Sequence, residues 1–311
     1  MEWFAFWGPD TALFYVLFGV AMPFSLKKRL ETGERSQATK HILKRCFLLF
    51  SFGVLLHCVY SHGPVWELWN VLVQLAFTIL IAYALMNRWH RFQIGVSIAL
   101  LILTELLYRG YNPVAPYAQN HESFGAWFDM LTMGKVNDGY WVFVNFIPTA
   151  AHTLWGVVCG QLLLSKNSEK QNLKLFLIWG TAIAVLGFAM DWLEITPIIK
   201  RIATSSFTLV SGGIAILTLA LFYWVIDVKG YRKNRLKIFS VVGTNSIFIY
   251  LFSETFGHLI FREFDILWST GLFDAFIEYK DWILVFESLL ILLFLWAITY
   301  FMDKRKIYFK V

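Results

Sequence analysis

Residues 142–164, VFVNFIPTAAHTLWGVVCGQLLL, decide the fold class: an apolar run of membrane-spanning length with no Asp, Glu, Lys or Arg and one imidazole in its middle. At helical spacing Asn145, Thr149, His152, Thr153, Gly156 and Gly160 fall on one face, and Ile147, Ala151, Leu154 and Val158 on another. The greasy face is expected to meet acyl chains. The polar face must look into a helix bundle or a wet cavity, because a buried polar group without a partner costs several kcal/mol. Pro148 is expected to leave a carbonyl one turn earlier without its helical donor, a flaw that neighbouring helices or water can repair. His152 lies about 15 Å into the span at 1.5 Å per residue, near the bilayer centre. A titratable group at that depth is a candidate for chemistry. The alternative is a histidine that hydrogen-bonds a neighbouring helix and does nothing more.

Working outward, the whole chain has the same character. Its 311 residues are 58% hydrophobic and 15% charged, with a mean hydropathy of +0.59, whereas soluble domains are about a quarter charged. The prediction is an all-α, polytopic transmembrane bundle forming a single domain, 1–311. Apolar segments fall at about 9–26, 43–60, 67–86, 93–108, 142–164, 173–192, 205–226, 239–260 and 283–302, giving about nine helices. Most of the 27 Lys and Arg residues sit in alternate connections: 27–45, 87–92, 165–174, 227–238 and the C-terminal tail. The net charge of +6 is therefore read by location and excludes nucleic acid as the partner it would otherwise suggest.

By the positive-inside rule those connections and the C-terminus are cytoplasmic. Nine helices then put Met1 outside, in what is expected to be a bacterial inner membrane. Either a short tail crosses unaided, or a further helix precedes residue 1; the second is preferred. No cleavable signal peptide is expected, since MEWFAFWGPD lacks a basic start. Cys46, Cys58 and Cys159 lie in or beside apolar spans without metal-like spacing and are read as packing residues, so no metal is expected. Phosphate-binding loops, HExxH and serine-elbow motifs are absent from the sequence.

The longest outer connection, 109–141, is rich in Tyr, Asn, Pro, His and Trp. Within it Phe124, Trp127, Phe128 and Leu131 predict a short amphipathic helix at the interface or capping the bundle. Such aromatic and amide groups suit a sugar surface, and an interfacial aromatic belt uses the same residues. On 239–260, Ser246, Tyr250, Ser253, Glu254, Gly257 and His258 form a polar ribbon starting at Asn245, with Glu254 and His258 one turn apart. Asn70, Gln74 and Thr78 share a face on 67–86. TSSFTLVSGG, 204–213, reads as a surface for close helix approach. Glu105, Asp191 and Glu194 are expected to reach headgroups. His57 and His62 flank the outer turn LLHCVYSHGP, 55–64.

Seven segments in order resemble the heparan-alpha-glucosaminide N-acetyltransferase family and its bacterial relatives of the DUF5009 type, across nearly the whole chain. They are PDTALFYVLFGVAMPFSLKKR (9–29), HILKRCFLLFSFGVL (41–55), VLVQLAFTILIAY (71–83), NFIPTAAHTLWGVVCGQLL (145–163), VIDVKG (225–230), GTNSIFIYLFSE (243–254) and the closing DKRKIYFKV. The resemblance implies acetyl transfer across a membrane, from acetyl-CoA on the cytosolic side to an amino sugar or envelope glycan beyond it. A CoA nucleotide needs a basic mouth, assigned to Lys27, Lys28, Arg29, Arg45 and Arg235, with Asn245 and Ser246 beside it. Asp10, Asn145 and Trp127 are assigned to the acceptor. The family's catalytic His sits in an HAxWNG segment where this chain has EWFAFWG, 2–8. His152, His258 or His62 would then supply the imidazole, with Glu254 orienting His258. The alternative is a non-catalytic membrane protein, either a saccharide transporter or flippase or a degenerate homologue. Lipid is an expected partner, and a homodimer is left open.

Overall fold

A computed structural model describes residues 10–119, 121–231, 237–267 and 280–309, with the side chains of 10, 28–31, 238, 258–267, 280–284 and 286–287 outside that description. The described residues contain helices and no strand. In order these are α1 (Asp10–Glu31), α2 (Arg35–Tyr60), α3 (Val71–Leu85), α4 (His90–Tyr111), α5 (Phe124–Met133), α6 (Phe146–Leu164), α7 (Glu169–Trp192), α8 (Ser205–Tyr223), α9 (Lys237–Thr244), α10 (Ser246–Leu267) and α11 (Lys280–Lys304). Among the described residues five stretches are long and apolar enough to cross a membrane: Arg35–Tyr60, His90–Tyr111, Phe143–Leu164, Glu169–Trp192 and Ser205–Val228. Thr11–Lys27 and Val71–Leu85 are shorter apolar helices. Five of the about nine expected spans thus meet length and hydropathy among the described residues.

The chain divides into two compact units, Met1–His57 with Val65–Gly230, and Cys58–Pro64 with Tyr231–Val311. In the first, α6 is the hub and packs on α1, α3, α4 and α8, while α7 packs along α8. Glycines set the α1–α6 spacing. A Cβ on Gly19 would lie 2.2 Å from the Thr153 carbonyl oxygen, and one on Gly156 would lie 2.1 Å from that of Val16. The small-residue run 204–213 serves the close approach expected of it: a Cβ on Gly213 would meet Gly180 O and Ala184 N, both at 2.6 Å. In the second unit the break between α9 and α10 falls at Asn245. Its amide donates to Ile307 O at 3.2 Å and accepts from Phe309 N at 3.0 Å, clamping the C-terminal tail.

Four expectations change. Pro148 lies in the first turn of α6, which starts at Phe146 after a 3-10 turn, Phe143–Asn145. There its missing N–H is one the helix leaves unpaired anyway. The face Ile147, Ala151, Leu154 and Val158 does not simply meet lipid, since Ala151 and Leu154 are fully buried; a hub helix is enclosed on both sides. The basic connection 27–45 is mostly helix, with only Thr32–Glu34 between α1 and α2, because its Arg, Lys, Gln and Ala favour helix and Gly33 alone takes a positive φ of 77°. Finally, α5 forms where expected but with a different buried side. Phe124, Gly125, Ala126 and Asp129 are buried, while Leu131 is 67% and Trp127 44% exposed.

Candidate functional site

The ends of α2 and α4 and the starts of α3 and α6 meet at one end of the first unit, and there α5 and its flanking turns bury a carboxylate. Asp129 accepts from Trp69 Nε1 at 2.7 Å and from the Phe143 backbone N–H at 3.0 Å. Burial pushes its carboxyl up to about 6, against the pull of those two donors toward the charged form. Beside it, Glu67 bridges an imidazole and an ammonium: Oε2 is 2.7 Å from His57 Nδ1, and Oε1 is 2.6 Å from Lys135 Nζ. The His57 ring meets Trp69 edge-on at 6.1 Å, and the Lys135 ammonium lies 6.0 Å from the centre of the same indole. Trp69 therefore connects the Glu67 pair with Asp129. In a neutral histidine that donates Nδ1–H to a carboxylate, Nε2 is the basic nitrogen.

Next to this cluster, Glu105 Oε2 accepts from Tyr117 Oη, from Thr196 Oγ1 at 3.1 Å and from Arg109 Nε at 3.2 Å. Glu105 thus fastens the connections that carry Tyr117 and Thr196 to α4 instead of reaching headgroups. Burial, reinforced by the Glu105 hydrogen bond, pushes Tyr117 up to about 12. Asp191 is likewise engaged, accepting from Ile198 N–H at 2.8 Å.

His152 lies deeper. It is 1% exposed, with Nε2 2.8 Å from Thr208 O and 3.3 Å from Ser211 Oγ. Its Nδ1 has no hydrogen-bond partner. Tyr15 stacks at 6.3 Å and Trp155 meets the ring edge-on at 5.7 Å. Tyr15 Oη donates to Gln74 Oε1 at 3.1 Å, so Tyr15 of α1 stands between the polar faces read on 67–86 and 142–164. Asn70 caps α3 through Leu72 N–H, and Asn145 donates to Arg201 O at 2.8 Å. The groove described below does not border His152.

The other sequence candidates are scattered. His62 is exposed at φ 50° in the turn after α2. Glu254, in the second unit, accepts from Tyr60 Oη, and the His258 side chain lies outside the described residues. Lys27 is exposed. Arg45 lays its guanidinium 4.9 Å from the Phe18 ring centre, with a buried Nε lacking a hydrogen bond. The side chains of Asp10, Lys28 and Arg29, and all of Arg235, lie outside the described residues. Ser246 opens α10, and Trp127 packs on Tyr111 at 5.9 Å. Among the described residues, no group of three His, Cys, Asp or Glu side chains is arranged to hold a metal ion.

These features define an integral membrane protein built from apolar helices, with a titratable cluster at one end. The chain belongs to the family described as heparan-alpha-glucosaminide N-acetyltransferase, catalytic, which matches residues 1–191. That match covers less of the chain than the seven-segment resemblance did, and ends at the last turn of α7. No curated protein matches the chain.

Sequence reasoning missed the Glu67–His57–Lys135–Asp129 cluster. Glu67 and Asp129 each stand within aromatic stretches at the edges of apolar runs. A carboxylate in such a setting was the available signal.

Proposed function

We propose that this chain is a transmembrane N-acetyltransferase that takes acetyl from acetyl-CoA on the basic, cytoplasmic side and delivers it to an amino sugar or envelope glycan on the opposite side. The family match over residues 1–191 carries this reading. Two features support its geometry. At the basic end Lys27 is exposed, and further along α2 Arg45, over Phe18, keeps an unpaired buried N–H, a fit for phosphate. At the other end Trp66, Tyr111 and Trp127 expose aromatic surface for a pyranose face beside the Glu67 cluster.

In this reading His57, held by Glu67, is the base. Its Nε2 takes a proton from the acceptor ammonium, and the freed amine attacks the thioester carbonyl. The C–N bond forms, the C–S bond breaks, and CoA leaves as a thiolate that takes up a proton. His152 ties α6 to α8 through Thr208 O and positions the hub. Trp127 serves the acceptor side, while Asn145 acts through the backbone it holds.

The test is acetyl transfer to glucosamine by purified protein in liposomes, alongside acetyl-CoA binding by calorimetry. H57A is expected to lower transfer about 100-fold or more, with binding within twofold of wild type. Transfer at the wild-type rate would remove His57 as the base. Failure of the wild type to release CoA with any amine acceptor would remove the enzyme reading itself.

A further inference from the structure

A groove of about 380 Å³ runs along the first unit between α4, α6, α7 and α8. Its lining includes Ile98, Leu101, Val158, Leu162, Leu175 and Phe176. The polar group in its wall is already used, since Ser97 Oγ accepts from Trp155 Nε1 at 2.9 Å and donates to Ile94 O at 2.7 Å. Between Ile94 and Leu101 the wall is therefore apolar with its one hydroxyl satisfied, which suits hydrocarbon and not water, while the His90 imidazole lies at the mouth. Ile98, Trp179 and Leu186 on its lips are about half exposed, so the groove opens sideways as well as at its end.

Length and charge identify the occupant. The groove begins at His90, the first residue of α4, and reaches Leu101. That is about 16 Å at 1.5 Å per residue, close to the depth of one leaflet, half of a hydrocarbon core of about 30 Å. The mouth lies where α4 and α7 begin and α6 ends. There Trp89 is 84% exposed, as expected of an indole at headgroup level. Arg88, Arg91 and Lys174 are exposed around it.

We infer that this groove holds one acyl chain of an anionic phospholipid from the leaflet bordering the basic connections, with the lipid phosphate at Arg88, Arg91 and Lys174. The inference rests on the chain being a membrane protein and not on acetyl transfer. A chain walled by four helices exchanges more slowly than annular lipid. A headgroup with net negative charge gains from all three cations, whereas a zwitterionic one carries its own ammonium beside the phosphate.

The experiment is native mass spectrometry of the full chain released from nanodiscs of equal phosphatidylglycerol and phosphatidylethanolamine. Expected is one retained phosphatidylglycerol per chain, favoured about tenfold or more over phosphatidylethanolamine. Ile98 is half exposed, so I98W can fill the groove without disturbing the hub; it is expected to abolish retention while the melting temperature holds. The R88A/R91A variant is expected to keep a lipid and lose the headgroup preference. Equal retention of both lipids, no retained lipid, retention undiminished in I98W, or a preference unchanged in R88A/R91A would each overturn the assignment.

Discussion

Asp129 shows what a single buried side chain contributes here. Its folded value of about 6 lies above the ordinary 3.8, so between those values the folded chain holds the proton more often than the unfolded one. The associated stability is fully present below about pH 4 and is lost as pH rises through about 6. A two-unit difference corresponds to at most about 3 kcal/mol. The stability of the wild type relative to D129N, measured by unfolding in mild detergent, is therefore expected to fall by up to that amount from pH 4 to pH 7. A pH-independent difference would contradict the burial assigned to Asp129. His152 gives a second residue-scale expectation. H152A removes the partner of Thr208 O and leaves a void in the hub, at a cost of about 2–4 kcal/mol, while the folded fraction retains its turnover. Loss of turnover in folded H152A would return the imidazole to the chemistry. The sequence placed His152 on a buried polar face correctly. It did not show Nε2 committed to a carbonyl 56 residues away, because periodicity reports faces and not partners.

At the scale of elements, the α1–α6 contact is the most constrained in the first unit, since backbone meets backbone at Gly19 and Gly156. G156A drives a methyl into Val16 O and is expected to destabilise by about 1–3 kcal/mol, read as a lower melting temperature; an unchanged value would mean the two helices have room to part. The helices themselves were legible. Each apolar run became helix, 239–260 as the two helices α9 and α10, and GAWFDMLTMG became α5. The extra turns at the basic ends and the break at Asn245 were not. Hydropathy marks where a helix is greasy but not where helix-forming polar residues carry it onward, and the break depends on Ile307 and Phe309 more than 60 positions away. The Glu67 cluster was hidden for a related reason. On α5 the apolar spacing of Phe124, Trp127, Phe128 and Leu131 pointed to one face, but the helix buries Asp129 because Trp69 and Phe143 satisfy it. His57 and Glu67 pair across a turn in which the sequence drew attention to His62.

At the scale of the molecule, the alternation of basic connections is what the proposed transfer uses to set which end would face the donor. Connections 27–45, 87–92 and 165–174 come to one end of the first unit, where Gln161 donates to Met86 O, Gln93 donates to Arg88 O, and the hydroxyls of Thr39 and Tyr83 share a hydrogen bond. The Glu67 cluster sits at the ends of the same helices away from those connections. Opposite ends with opposite chemistry are what vectorial transfer requires. The most direct measurement encloses glucosamine in sealed proteoliposomes carrying the chain with its basic face outward and adds labelled acetyl-CoA outside. Label is expected to accumulate inside as N-acetylated sugar, matched by CoA released outside. Unmodified sugar crossing the bilayer while acetyl-CoA remains intact would contradict acetyl transfer and mark the chain as a transporter.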